Sequence, residues 1–313
     1  MRCSILHKIL GVILVGLAAV ASQVAADEVR LKPFILGTAP AGNMEQAVAA
    51  VKAALKAQGF DEAGSYSPYA GATVIVVTSP ELKAAAVARV KFGGFGAGQR
   101  VAVTDYKGTL QVSYMNPAYL GAAYGLGKLE AVSEKLKTAL GATREFGTVD
   151  GLTAEALAPG TYHYMVGMPY FQQVDVHAKY PNYQAALAAV EKGLAAGKGG
   201  TKKVYRIDLP GREVSVFGVA IVTGDGIDKG DKDTDREVMG IMDWQELRIT
   251  PMLPHEMLVQ GGEVMSLRGR FRLALHSPDT KMAGAHGFTK LMSAPGGIKA
   301  VFNAVAEGDQ LKK

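Results

Sequence analysis

The chain has 313 residues, 48% of them apolar and 20% charged, with a formal net charge of +5 and a single cysteine. Cys3 is that cysteine, so no intrachain disulfide is available and a disulfide scaffold is excluded. Without residues 1–26, which carry Arg2 and Lys8, 32 basic side chains face 29 acidic ones, and a balance that close to neutral gives no electrostatic footprint for nucleic acid or an anionic membrane.

Arg2, His7 and Lys8 precede the uncharged run Ile9–Ala21, and Val24-Ala25-Ala26 lead into Asp27-Glu28. A basic start, an apolar core and small residues before a polar segment read as a secretory signal peptide cleaved after Ala26, which places the mature protein in the periplasm. An uncleaved anchor is the rival reading, but a span needs about 20 strongly apolar residues and hydrophobicity fades after Ala21. No second run approaches that length, so no membrane span is expected after cleavage. The remaining length fits two domains, 27–150 and 151–313.

In chain order, Leu31–Leu36 reads as a strand and Met44–Ala57 as a helix, with Val48, Val51 and Leu55 on one face. Glu62–Tyr66 and the β-branched Ala72–Thr78 read as strands. Ser79-Pro80 opens a helix to about Val90, and the glycine-rich Phe92–Gly98 reads as a flexible linker or a close-approach loop. Gln99–Tyr106 and Thr109–Tyr114 flank Lys107-Gly108 as a hairpin. Helices follow from Pro117 and over Leu129–Leu140. Thr143–Thr161 is the domain boundary, and Tyr162–Met168 reads as a buried interdomain strand. Tyr183–Ala195 repeats the character of Met44–Ala57. Lys203–Asp208 and Glu213–Val222 are strands, the second matching Ala72–Thr78. Met257–Val259 and Met265–Leu275 read as a second hairpin, Pro278 as a helix start, and Gly296–Glu307 as the last helix.

The stretch Arg100–Gly125 thus has a degraded copy over Glu256–His286. Leu110, Val112 and Tyr114 align with Phe271, Leu273 and Leu275 on a helix-packed strand face. The opposite face carries Thr109, Gln111, Ser113 and Met115 in one copy and Arg270, Arg272, Ala274 and His276 in the other. That face is either solvated or the meeting surface of two related halves, packed as an intramolecular pseudo-dimer. The expected fold is α/β of the α+β type: two duplicated two-layer units, each an antiparallel-rich sheet against helices.

Gly94–Tyr124, with its Arg100-Val101 strand and Asn116-Pro117 helix start, resembles the bacterial family catalogued as domain of unknown function 302. The resemblance covers Gly59–Leu140 and reaches the second half only through the repeat. It implies a two-layer α/β fold with an antiparallel sheet and members that pair, and no reaction.

No stretch carries a specific catalytic signature. HEMLV at His255 lacks the second histidine of a zinc protease, and His255 with Glu256 as a hydrolytic acid/base pair lacks a nucleophile. Asp231, Asp233, Asp235 and Glu237 alternate as in a calcium loop, but Arg236 and Met242 stand where glycine and glutamate are needed, so a solvated acidic loop is expected. Gly93–Gly98 precedes a strand instead of a helix and is no dinucleotide loop. Two readings remain. In the first, an exported noncatalytic binding or accessory protein holds an anionic small molecule between its halves, at Asn116, Tyr119, Tyr124, Arg270, Arg272 and His276; its partner is that molecule or a periplasmic protein. In the second, His163, Met168, His255, His276 and His286 ligate copper, zinc or haem b.

Overall fold

The computed structural model describes residues 28–223 and 233–307. The segment expected to be a signal peptide, with its expected cleavage point, and Asp231 of the acidic run lie outside the described residues.

The first half builds a six-stranded antiparallel sheet from β1 (Phe34–Leu36), β2 (Asp61–Tyr66), β3 (Ala72–Thr78), β4 (Gln99–Tyr106), β5 (Thr109–Met115) and β6 (Arg144–Phe146), in the order β2-β3-β4-β5-β1-β6. Its helices start where local chemistry satisfies the free backbone N–H groups. In α1 (Met44–Ala57) Asn43 and Gln46 cap each other reciprocally. Ser79 with Pro80 opens α2 (Pro80–Ala88), and Asn116 with Pro117 opens α3 (Pro117–Tyr124). Gly125, at φ +67°, stops α3. Next comes α4 (Glu130–Leu140). Lys107 and Gly108 both take positive φ at the β4–β5 turn, the backbone twist a two-residue hairpin requires.

After the short α5 (Ala154–Leu157), the second half contains β7 (Asp175–Lys179), α6 (Tyr183–Ala195), β8 (Thr201–Asp208), β9 (Val214–Ile221), α7 (Asp235–Met242), β10 (His255–Gln260), β11 (Glu263–Ser266), α8 (Gly269–His276) and α9 (Ala294–Ala306). Its antiparallel sheet runs β7-β11-β10-β9-β8, the order of β1-β5-β4-β3-β2, as expected of duplicated units.

The second hairpin departs from the sequence reading. Its return strand ends at Ser266, residues 269–276 are helical, and Ser277-Pro278 is a turn. GRFRLALH alternates like a strand, but Phe271 and Leu275 also stand one helical turn apart, and a run this short satisfies either period. A six-residue β10 paired across Gly261-Gly262 leaves β11 only four residues long. Arg268-Gly269, not Ser277-Pro278, therefore occupies the place of Asn116-Pro117. Phe271 stands third in its helix as Tyr119 does, and His276 last as Tyr124 does. Arg270, Arg272, Ala274 and His276 are not one strand face: Arg272 and His276 point inward and Arg270 outward.

Three further expectations are corrected. Tyr162–Met168 forms turns rather than a buried strand, and Val166 is 93% exposed. Gly93–Gly96 is a buried 3-10 turn, the close-approach loop rather than the flexible linker, and a side chain on Gly94 would strike Leu258 and Val214. The acidic run is not a solvated loop where it is described, because Asp235 is buried in the first turn of α7, capped by Thr234.

One face of each sheet is covered by a pair of helices. Val51, Leu55 and Leu136 pack on Ile75, Val101, Val103, Val112 and Tyr114, with Leu110 at the margin. Leu187, Val190, Val301 and Phe302 pack on Phe217, Val219, Met257 and Val264. The two bare faces bury each other: Val74, Val76, Ala102 and Met115 share one core with Tyr205, Ile207, Val216, Leu258 and Met265. Apolar alternation on both faces of both sheets forces this arrangement, since an uncovered face would leave a row of large side chains in water. Polar residues of the first sheet meet the second half as well: Thr104 Oγ1 donates to Thr250 Oγ1 (3.1 Å), Gln111 Nε2 to Glu246 O (2.9 Å) and Ser113 Oγ to Arg248 O (3.0 Å).

Candidate functional site

The densest polar chemistry lies between the sheets. Arg100 is the second residue of β4 and Glu256 the second of β10; the sheets place them face to face, with Arg100 Nη1 3.0 Å from Glu256 Oε2 and both side chains almost fully buried. Arg100 Nε donates to Pro251 O (3.0 Å), and Tyr205 OH donates to Glu256 Oε1 (2.6 Å). Tyr205 fits because it stands opposite Gly218, where any Cβ would collide with its ring. Arg272, on the inner face of α8, donates from Nη2 to the carbonyls of Met252 and Pro254.

His255 and His276 belong to the same cluster. His276 Nδ1 lies 2.7 Å from Arg272 O, and a carbonyl only accepts, so Nδ1 carries the proton and Nε2 accepts from Arg100 Nη2 at 3.2 Å. His255 Nδ1 likewise accepts from Arg272 Nη1 at 3.3 Å. Burial first, then the neighbouring guanidinium groups, hold both imidazoles well below the usual histidine range, so both are neutral. Two arginines aimed at two imidazoles repel a cation. His163 sits apart, with Nδ1 on Thr161 O and its ring on Tyr170; His286 stacks on Trp244; Met168 lines a surface groove. Among the described residues no three His, Cys, Asp or Glu side chains form a group able to hold a metal.

Asp235 completes the cluster. Its Oδ2 accepts from Tyr66 OH of the first half at 2.8 Å, and its Oδ1 lies 4.0 Å from His255 Nε2. Burial raises its carboxyl to about 7, against the pull of Tyr66 and Arg272. Between the unfolded value near pH 4 and pH 7, the folded chain keeps a proton that the unfolded chain has released. The stability this carboxyl confers is therefore fully present below about pH 4 and lost as pH rises through 7. Asp235→Asn keeps an acceptor for Tyr66 and removes the titration. The variant is expected to match the parent closely in urea unfolding at about pH 3.5 and to exceed it by roughly 2–4 kcal/mol at about pH 8. An identical difference at both pH values would reject this account of Asp235.

The residues expected to bind a ligand between the halves mostly hold protein instead. Asn116 caps α3 and its Nδ2 donates to Lys32 O. Tyr119 OH donates to Leu275 O (2.8 Å), Tyr124 stacks on Phe171, and Arg272 and His276 are engaged as described. Arg270 differs. It lies on the wall of a cavity of about 580 Å³ where α8 and α9 both begin, together with Arg268, Lys299, Asp175 and Asp233. Neither helix start has a side-chain cap, so the first-turn N–H groups of two helices stand at one opening. Lys299 Nζ is 2.9 Å from Asp175 and Arg268 Nε 3.8 Å from the same carboxylate. Arg270 has no hydrogen-bond or ion-pair partner among the described residues.

Of the residues at this cavity the sequence reading names Arg270, placed there between the halves, and none of Arg268, Lys299 or the α9 start. Ala294-Pro295-Gly296-Gly297 was the available signal: proline in a first turn beside two glycines, of which Gly296 faces open space and Gly297 lies against Asp233. It also missed Trp244, the chain's one tryptophan, 52% exposed and stacked on His286 at 4.7 Å beside a cavity of about 330 Å³. Asp279 on that cavity is already engaged by Thr148 Oγ1 and Val149 N. His255 and Glu256 reach no such opening, being 1% and 3% exposed, and no water-accessible cleft of the kind a hydrolase requires borders them among the described residues. The comparisons with known proteins add no relative: no family model, no curated protein and no solved structure matches this chain.

Proposed function

We propose that the chain is a noncatalytic binding or accessory protein for a small anionic molecule, taken at the cavity where α8 and α9 begin. One observation carries the reading: Arg270 presents to that cavity a guanidinium with no partner among the described residues, while its cationic neighbours Arg268 and Lys299 lean on Asp175. The volume is in the range of small-molecule sites, and a planar fork of donors suits a carboxylate or phosphate. Arg270 stays in this reading from the sequence-based set, and the ligand moves from between the halves to the outside of the second, because the inter-sheet space is filled by the Arg100–Glu256 cluster. Duplication into an intramolecular pseudo-dimer, as in a family whose members pair, accounts for the common strand order of the two sheets.

Isothermal titration with acetate, citrate and inorganic phosphate tests the site. At least one is expected to bind, and Arg270→Ala to weaken it about ten-fold or more, the loss of a charge-assisted hydrogen bond. Equal binding by parent and variant, or no binding by any of the three at millimolar concentration, would reject the proposal.

A further inference from the structure

The cavity at the α8 and α9 starts does not end at Arg270. Arg270, Met292 and Pro295 also line a narrower slot of about 60 Å³, whose other walls are Met168, Leu273, Met282, Phe288 and Leu291. Apart from Arg270 every residue of the slot is apolar, so one guanidinium stands between a polar chamber and an apolar one. The slot is open: Met282 is 41% and Met292 62% exposed, and Met165 and Val166 are exposed on the turn leading to Met168. Single exposed apolar residues need no explanation, but several gathered at a concave slot beside cationic groups mark a binding surface. Methionine suits such a surface because its unbranched thioether adapts to the shape of an apolar guest.

We infer that the ligand is an amphiphile: a free carboxylate whose head pairs with Arg270 and whose aliphatic tail lies in the methionine-lined slot. This rests on the anion site proposed above and names its ligand class. A single charge at the junction fixes the polarity of binding. The head faces Arg268, Lys299 and the helix starts, and the tail points toward Phe288 and Leu291. A concave slot this small takes one chain and not a bilayer surface. Three thioethers also favour copper(I), and Arg270 on the slot wall disfavours any cation there.

Isothermal titration of straight-chain carboxylates from acetate to octanoate, with the neutral alcohols of equal length as controls, tests the inference. Affinity is expected to rise about four-fold per methylene, the equivalent of about 0.8 kcal/mol for each CH₂ removed from water, and to level off once the slot is full. Met282→Ser, at a partly exposed position that leaves the fold intact, should flatten that rise. Arg270→Ala should weaken every carboxylate by a similar factor and leave the alcohols unchanged. Binding that is sensitive to Arg270 and independent of chain length would overturn the amphiphile and leave the anion site standing. Chain-length-dependent binding shared equally by alcohols, or unaffected by Arg270→Ala, would overturn both, as would no binding of any carboxylate. Stoichiometric copper(I), lost in Met282→Ser and blocking octanoate, would replace the amphiphile with a metal.

Discussion

Glu256→Leu is expected to destabilise the protein by about 3–5 kcal/mol, the usual cost of removing one member of a buried ion pair. Glu256 places a carboxylate between two buried guanidinium groups: Arg100 touches it at 3.0 Å, and Arg272 lies close enough to feel both charges. The remaining hydrogen bonds of both arginines go to carbonyls and neutral imidazoles, which solvate a cation without cancelling its charge. Leucine would also leave the buried Tyr205 OH without its acceptor. Urea unfolding at pH 7 measures the loss. The double variant Arg100→Met/Glu256→Leu removes the charges together and is expected to recover most of it, since apolar residues of similar volume replace buried pairs at little net cost. A single-variant loss below about 1 kcal/mol, or a double variant no better than the single, would show that the pair does not hold the halves together.

That pair also marks where the sequence stops being legible. Elements whose boundaries are set by neighbouring residues were readable: Ser79-Pro80 and Asn116-Pro117 each begin a helix, and Lys107-Gly108 turns a hairpin. Gly269–His276 was not, because its alternation fits a strand, its start lacks an Asx/Ser-Pro signal, and a decoy Ser277-Pro278 follows where the helix ends. His255-Glu256 looks like a polar strand terminus until the partner sheet is present. Nothing within several residues of it says that β4 will bring Arg100 from 156 positions away in the chain. The same limit hides the outer cavity. Arg268, Arg270 and Lys299 converge only because residues 269–276 coil, and a strand reading sends Arg270 and Arg272 to the same face.

Gly64→Ala should destabilise the fold by about 3 kcal/mol, at the upper end of the usual range for overpacking a core. Gly64 follows a bulge in edge strand β2, and Tyr205 follows the corresponding bulge in edge strand β8. These two strands meet where the sheets cross, and a Cβ on Gly64 would fall well inside 3.0 Å of Val204 O, closer than real Cβ contacts come. The obstacle is backbone, so no rotamer change relieves it and the sheets must separate. Gly218→Ala makes the instructive contrast, because its Cβ meets the ring of Tyr205 and a side chain can be changed. Tyr205→Leu should therefore rescue Gly218→Ala in part and leave Gly64→Ala uncorrected, which urea unfolding of the four variants would read directly. The glycine sits on opposite members of the paired strands in the two halves, Gly64 facing Val76 in one and Gly218 facing Tyr205 in the other. That exchange of small for large is what lets the Tyr205 ring lie over Gly218 and reach Glu256, two strands away in the same sheet. A Gly64→Ala loss below about 1 kcal/mol would mean that β2 and β8 do not approach this closely, and the face-to-face packing that buries the ion pair would fall with it.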